Sequence, residues 1–284
     1  MKYINKETYS EEALDIVYPF LQEAWNAIDN EYIGLTYEDF RKPKYRRDSV
    51  DGSDKIVEIM RKEQDDYCCY CMRLIRGKNI TIEHVIPQQC DSDITPYTKY
   101  APVLANRVEH VDVFKTHKPL PSKTDLMKQP HVVAHANLVA SCTGIAVENN
   151  DSCCFCNGKR GNTRIVPLML MQECMSLVGY LVNGRMYAIN NNSEYKDTIK
   201  QLQLNHDRLI EIRHLWHLIQ RQELLSSFVQ SADERCRQVA IIKTFAVKRW
   251  SEVSVNYKKY AESEFYWNLL MDYEWFHQYY KNLP

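Results

Sequence analysis

Residues 80–89 read ITIEHVIPQQ. Ile80, Ile82 and Val85–Ile86 surround polar positions in near-alternation, which predicts a short strand with one buried face. The strand ends on two chemically active side chains, Glu83 and His84, before Pro87 stops it. What lies on either side of this run decides what it is for. Upstream stands YCCYC (67–71), with Cys68 and Cys71 in a CxxC spacing. Downstream stands SCTGIAVENNDSCCFCN (141–157), with Cys142, Cys153, Cys154 and Cys156. Two cysteine clusters flanking one strand predict a tetrahedral thiolate site for Zn²⁺. Cys68, Cys71 and Cys156 are the expected ligands. The fourth is Cys142, with Cys153 as the alternative; a Cys153-x-x-Cys156 knuckle is more local, but closing the longer loop from Cys142 costs little. Cys69 and Cys154 are spare neighbours.

The rest of the composition sets bounds. The chain has 284 residues and a formal net charge of −1, so there is no global basic field for nucleic acid and any such surface must be local. No apolar run is long enough for a membrane span and the N-terminal stretch has no apolar signal-peptide core, so the expectation is a soluble cytoplasmic protein with no membrane contact. In that compartment ten cysteines point to metal rather than to disulfides.

Helical periodicity covers 11–28, with Pro19 as a kink or break, and DKIVEIMRKEQ (54–64), capped by Ser53 or Asp54. Residues 88–136 carry five prolines and no clear period, and a stretch of that length is functional or hides elements. VGYLVNGRMYAINNN (178–192) predicts two strands about an Asn-Gly turn. Leu202, Leu209, Ile212, Trp216 and Ile219 predict one helical stripe, and the aromatic run 260–280 a buried or partner-covered helix. His131 and His135 form an HxxxH, but Pro130 and the β-branched pair after His131 argue against a helical metal site.

Read in order, YCCYC, ITIEHVIP, HANLVASC and CNGKRGN resemble the HNH endonuclease family, in the subgroup whose last histidine is asparagine. The resemblance covers about residues 65–165. It implies an α+β fold with a ββα-metal core and zinc-binding cysteines, embedded in a mostly helical chain. It also implies roles: Glu83 and Asn157 as ligands of a catalytic Mg²⁺ or Mn²⁺, His84 as general base, and Asn137 as the residue that holds the loop and orients His84. Lys159 and Arg160 are expected to face phosphates. The departures are the long middle segment and the wide gap from Cys142 to Cys156, where simple members keep a CxxC spacing.

The flanks resemble, more weakly, the PtuB-like nuclease subunits of Septu-type and retron-associated anti-phage systems. That implies a PtuA-like ATPase partner of ABC/SMC type, docked on the C-terminal helical region. The expected organisation is 1–64 helical, 65–165 nuclease core, and 166–284 hairpin and helices. Two alternatives stay open: an RNA target, tRNA included, and a non-catalytic zinc module that binds nucleic acid.

Overall fold

The computed structural model describes residues 1–27, 35–42, 45, 54–75, 77, 79–117, 119–148 and 151–221, with no side-chain description for 145–148, 151–153 and 215–221. The chain opens with helix α1 (Ser10–Ala27), which runs through Pro19 without a break. α2 is a single turn, Tyr37–Phe40. α3 (Lys55–Glu63) starts at Asp54, whose Oδ1 accepts the Ile56 N–H at 3.1 Å. That is the carboxylate cap expected from the sequence; it satisfies one orphan donor at the helix start.

β1 (Thr81–His84) and β4 (Leu138–Ser141) form an antiparallel pair, with Glu83 opposite Val139 and His84 opposite Leu138. Between them lies the long middle segment. It contains α4 (Thr95–Thr98), α5 (Pro102–Arg107), β2 (Val108–Glu109), α6 (Val111–Phe114) and β3 (Gln129–Pro130), and β2 and β3 pair in parallel. The prolines are placed at helix starts: Pro96 and Pro102 lie in the first turns of α4 and α5. There their missing N–H costs nothing. After β4 come the hairpin β5 (Ile145–Glu148) and β6 (Asp151–Cys154), then the one-turn α7 (Asn157–Arg160). α8 (Cys174–Leu177) leads into the hairpin β7 (Val178–Tyr180) and β8 (Met186–Ala188), which turns at Asn183–Gly184 as expected.

The stripe expected across 202–219 is divided between two helices. α9 (Ser193–Gln201) ends just before Leu202, and α10 (Asp207–Arg221) begins after a tight turn. Leu202, Leu209 and Ile212 are nonetheless all buried; the side chains of Trp216 and Ile219 lie outside the described residues, as does the aromatic run 260–280. Gly184 is needed where the β7–β8 turn meets α10. Its φ is +85°, and a Cβ there would stand 2.0 Å from the Ile210 carbonyl oxygen.

One apolar cluster runs from Ile4 through α1, α3, β4 and Phe155 to Ile212, so packing is continuous across both expected domain boundaries. A polar trio ties the N-terminus to it. Lys6 Nζ donates to Glu63 Oε2 at 2.6 Å, and His135 Nε2 stands 2.9 Å from Glu63 Oε1, with all three side chains buried. Helix α3 is joined to the sheet by one carboxamide. Gln64 donates to the Ala140 carbonyl at 2.7 Å and accepts the Ala140 N–H at 2.8 Å. It thereby serves the open edge of β4 as a second strand would.

Candidate functional site

The four-cysteine centre is built from three local turns. In the first, Met72 takes a positive φ of 65° and donates to the Cys68 carbonyl at 3.0 Å. Cys68 N–H in turn donates to Arg73 at 2.7 Å. That closed turn brings Cys68 and Cys71 to one side. Cys142 follows directly on β4, and Cys156 precedes α7 with φ +51°. Gly144 allows the last approach: a Cβ there would lie 1.8 Å from the Phe155 carbonyl oxygen.

The sulfurs of Cys68, Cys71, Cys142 and Cys156 all lie within 4.8 Å of one another, and all four residues are buried. The Cys71 and Cys142 sulfurs are 3.8 Å apart. A tetrahedral Zn²⁺ with Zn–S of about 2.3 Å requires S···S edges of about 3.8 Å. The group can therefore hold a metal such as zinc. Burial raises the Cys156 thiol well above its usual range; for Cys68 the neighbouring thiols outweigh burial and pull it well below. Four buried sulfurs in mutual contact need a cation to ionise together. Cys142 is in this group, as expected. The Cys153 side chain lies outside the described residues, and its backbone pairs with Ala146 in the β5–β6 hairpin. Cys69 is buried beside the group, with its N–H on Ala140, and Cys154 is exposed.

The Glu-His pair splits across the sheet, as alternation along β1 requires. His84 is 8 % exposed and sits edge-on to the Tyr37 ring, with centroids 4.5 Å apart. Its Nε2 is 3.0 Å from the Val132 carbonyl, and its Nδ1 faces the Gln88 carboxamide at 3.5 Å. Since Val132 offers only an acceptor, Nε2 carries the ring proton and Nδ1 is the acceptor nitrogen, met by the Gln88 carboxamide nitrogen at 3.5 Å. Burial depresses this imidazole to about 4. It is therefore neutral at pH 7.

Asn137 is fully buried in the 3₁₀ turn before β4. Its Oδ1 accepts the Ile86 N–H at 2.7 Å, and its Nδ2 donates to Ile86 O at 2.9 Å and His131 O at 2.7 Å. The carboxamide thus clamps the segment after His84 to the segment that carries Val132.

Glu83 faces the other way. Its Oε2 accepts from Arg160 Nη1 at 2.7 Å and from Tyr70 OH at 3.2 Å. Burial raises this carboxyl, against the pull of Arg160. Arg160 departs from expectation. It is 2 % exposed, and its guanidinium also donates to the His84 and Val85 carbonyls, at 2.6 and 2.7 Å. Those donors are committed inside the protein, so Arg160 is not turned to a phosphate; Lys159 beside it is exposed. Asn157 Nδ2 donates to Thr81 Oγ1 at 2.8 Å. Thr81 shares a face of β1 with Glu83, so Asn157 and Glu83 stand on the same side of the sheet.

Glu83 Oε1 and Asn157 Oδ1 carry no hydrogen bond from any described residue. Carboxylate and amide oxygens suit a hard cation. The Arg160 guanidinium, however, already compensates the Glu83 charge.

The sequence reading missed another cluster: one ligand atom each from Cys90, His110 and His131 lie within 4.8 Å of one another. Their wide separation along the chain leaves no spacing signal. Among the described residues, no helix is long and apolar enough to cross a membrane. Comparison of the chain with protein-family models, with curated proteins and with solved structures finds no match in any of the three.

Proposed function

We propose that this chain is a metal-dependent endonuclease of HNH type, with zinc in the four-cysteine centre and DNA as its substrate. In this reading it is the effector of an anti-phage complex with an ATPase partner of ABC/SMC type. The observation that carries the reading is the setting of His84. It ends the strand that pairs with the one leading into Cys142, its Nε2 proton is spent on the Val132 carbonyl, and its Nδ1 lone pair meets only the Gln88 carboxamide, at 3.5 Å. A neutral imidazole with one nitrogen anchored can take a proton from a water that displaces the Gln88 carboxamide at the other; for that, the bound phosphate and metal must bring this ring's affinity for a proton back toward neutral pH.

In this reading Asn137 is a positioning residue. It fixes Ile86 and His131, the neighbour of the carbonyl that anchors His84. Glu83 Oε1 and Asn157 Oδ1 would hold Mg²⁺ or Mn²⁺, which when bound supplies positive charge for the leaving oxygen; because they stand on the face of β1 opposite His84, this role requires the end of β1 to bend so that both serve one phosphate. Lys159 is the exposed cation available to backbone phosphate. His84 accepts the proton of the attacking water at Nδ1.

The test is cleavage by the full chain, alone and with its partner ATPase, in Mg²⁺ or Mn²⁺. His84→Ala should lower the rate by about 10²–10⁴ while zinc content and partner binding stay unchanged. Parallel DNA and tRNA substrates decide the target. A complex that cleaves and defends equally well with His84→Ala refutes the proposal.

A second reading, a non-catalytic zinc module that binds nucleic acid, is favoured by one observation. Glu83 is paired to Arg160 at 2.7 Å, as a purely structural carboxylate would be. Binding of nucleic acid without cleavage, insensitive to added Mg²⁺, would support it.

A further inference from the structure

We infer that Cys90, His110 and His131 form a second metal site, for a borderline transition ion such as Zn²⁺, which staples the middle segment of the chain. The three residues come from separate pieces of that segment. Cys90 follows β1, His110 joins β2 to α6, and His131 follows β3. Their ligand atoms nevertheless meet within 4.8 Å. Cys90 Sγ is 3.7 Å from His131 Nε2. A tetrahedral zinc with one sulfur and one imidazole at ordinary bond lengths spans about 3.6 Å between them. The two imidazoles stack with centroids 4.7 Å apart, which holds the rings side by side.

Each ring is oriented by its other edge. The Val111 N–H donates to His131 Nδ1 at 3.1 Å, and the Asp112 N–H donates to His110 Nδ1 at 3.2 Å. With Nδ1 accepting, Nε2 carries the ring proton in the metal-free chain, and at His131 it faces the Gln88 carbonyl at 3.3 Å as well as Cys90 Sγ; an ion at Nε2 displaces that proton. Coordination there moves the ring proton to Nδ1, where it would face the Val111 and Asp112 N–H donors, so binding the ion also requires the start of α6 to move off the two rings. Thiolate with two imidazoles is a donor set for zinc rather than for Mg²⁺ or Ca²⁺.

His110 and His131 are buried, while Cys90 is half-buried and lines a surface cleft with Asp91, Asp93 and Tyr97. The cleft is an entry path, and three protein ligands leave a fourth position for water or Asp91. The site answers a question of stability as well. The middle segment has only two-residue strands and one- or two-turn helices. An ion joining three of its pieces supplies the long-range tie that such short elements lack. It also fixes His131, whose carbonyl Asn137 holds and whose neighbour Val132 anchors His84.

The experiment loads the full chain with zinc, removes free metal, and measures bound zinc by elemental analysis. The expected result is two ions per chain, falling to one in Cys90→Ser and in His110→Gln. A wild-type stoichiometry of two that persists in both variants overturns the proposal. So does a single ion that neither variant removes, whether or not the variants fold well. One ion that Cys90→Ser does remove would instead reject the four-cysteine centre and leave this site standing. Nitrogen-15 spectra of the histidines give a second reading on the unaltered protein. Zinc should convert His110 and His131 from the Nε2–H to the Nδ1–H tautomer; rings unchanged by zinc would also overturn it.

Discussion

His84 Nε2 meets the Val132 carbonyl at 3.0 Å, and Asn137 holds the residue on the N-terminal side of that carbonyl. The geometry assigns the His84 proton to Nε2, which histidine nitrogen-15 spectra can read directly. Asn137→Ala leaves Ile86 N–H, Ile86 O and His131 O buried without their partner. A loss of about 2–4 kcal/mol is expected from unsatisfied buried groups, measured by urea unfolding. His84 should also lose its single-tautomer signature. A variant as stable as wild type, with His84 still fixed, would refute the clamp.

The four-cysteine centre predicts an unequal response to two serine substitutions. Cys142→Ser should lose one equivalent of zinc and lower the melting temperature sharply, because structural zinc contributes about 10–16 kcal/mol in small domains. Cys153→Ser should keep its zinc. Elemental analysis of both variants checks this, and equal zinc loss would mean the knuckle at Cys153 takes part.

How far the sequence was legible follows from what each feature depends on. Asp54 as a helix cap, the Asn183–Gly184 hairpin and the cysteine set depend on local spacing, and all three were readable. Arg160 was not. Its basic character and its place after Cys156 suggested a side chain turned to phosphate, whereas its burial comes from contacts to Glu83, His84 and Val85, more than 70 positions away. The same holds for Lys6, which finds Glu63 only once α1 and α3 pack. The two-part helix at 202–212 was misread because apolar periodicity continued across the turn. Cys90, His110 and His131 meet through the fold of the middle segment and leave no motif behind.

The Glu83–Arg160 pair predicts an asymmetry. Arg160→Met strands Glu83 with only Tyr70 as donor, in a site that already raises its carboxyl. Removing one partner of a buried pair costs about 3–5 kcal/mol. Glu83→Gln should cost less, because Arg160 keeps the His84 and Val85 carbonyls. The double variant should recover part of the Arg160→Met loss. Urea unfolding of the three variants checks the order; equal losses in the two single variants would contradict it.

Burial of His84 makes stability depend on pH in a definite direction. Its imidazole falls from the usual 6.5 to about 4 in the folded chain. Above pH 7 the ring is neutral in both states and contributes no slope. As pH falls below 6.5 the unfolded chain takes up a proton that the folded chain refuses, so stability declines until the folded ring also protonates near pH 4. The slope for this one group is about 1.4 kcal/mol per pH unit. Other groups titrate in the same window, His131 among them, and a metal held by the cysteine centre would be released in acid. Comparison with His84→Gln isolates the one histidine, since glutamine can still donate to the Val132 carbonyl but takes up no proton. The stability difference between variant and wild type should be flat from pH 8 to 7. It should then shift in favour of the variant by about 1 kcal/mol or more between pH 6 and 5. Urea unfolding of both proteins across that range measures it, and a difference that stays constant would mean that His84 is accessible to protons in the folded chain.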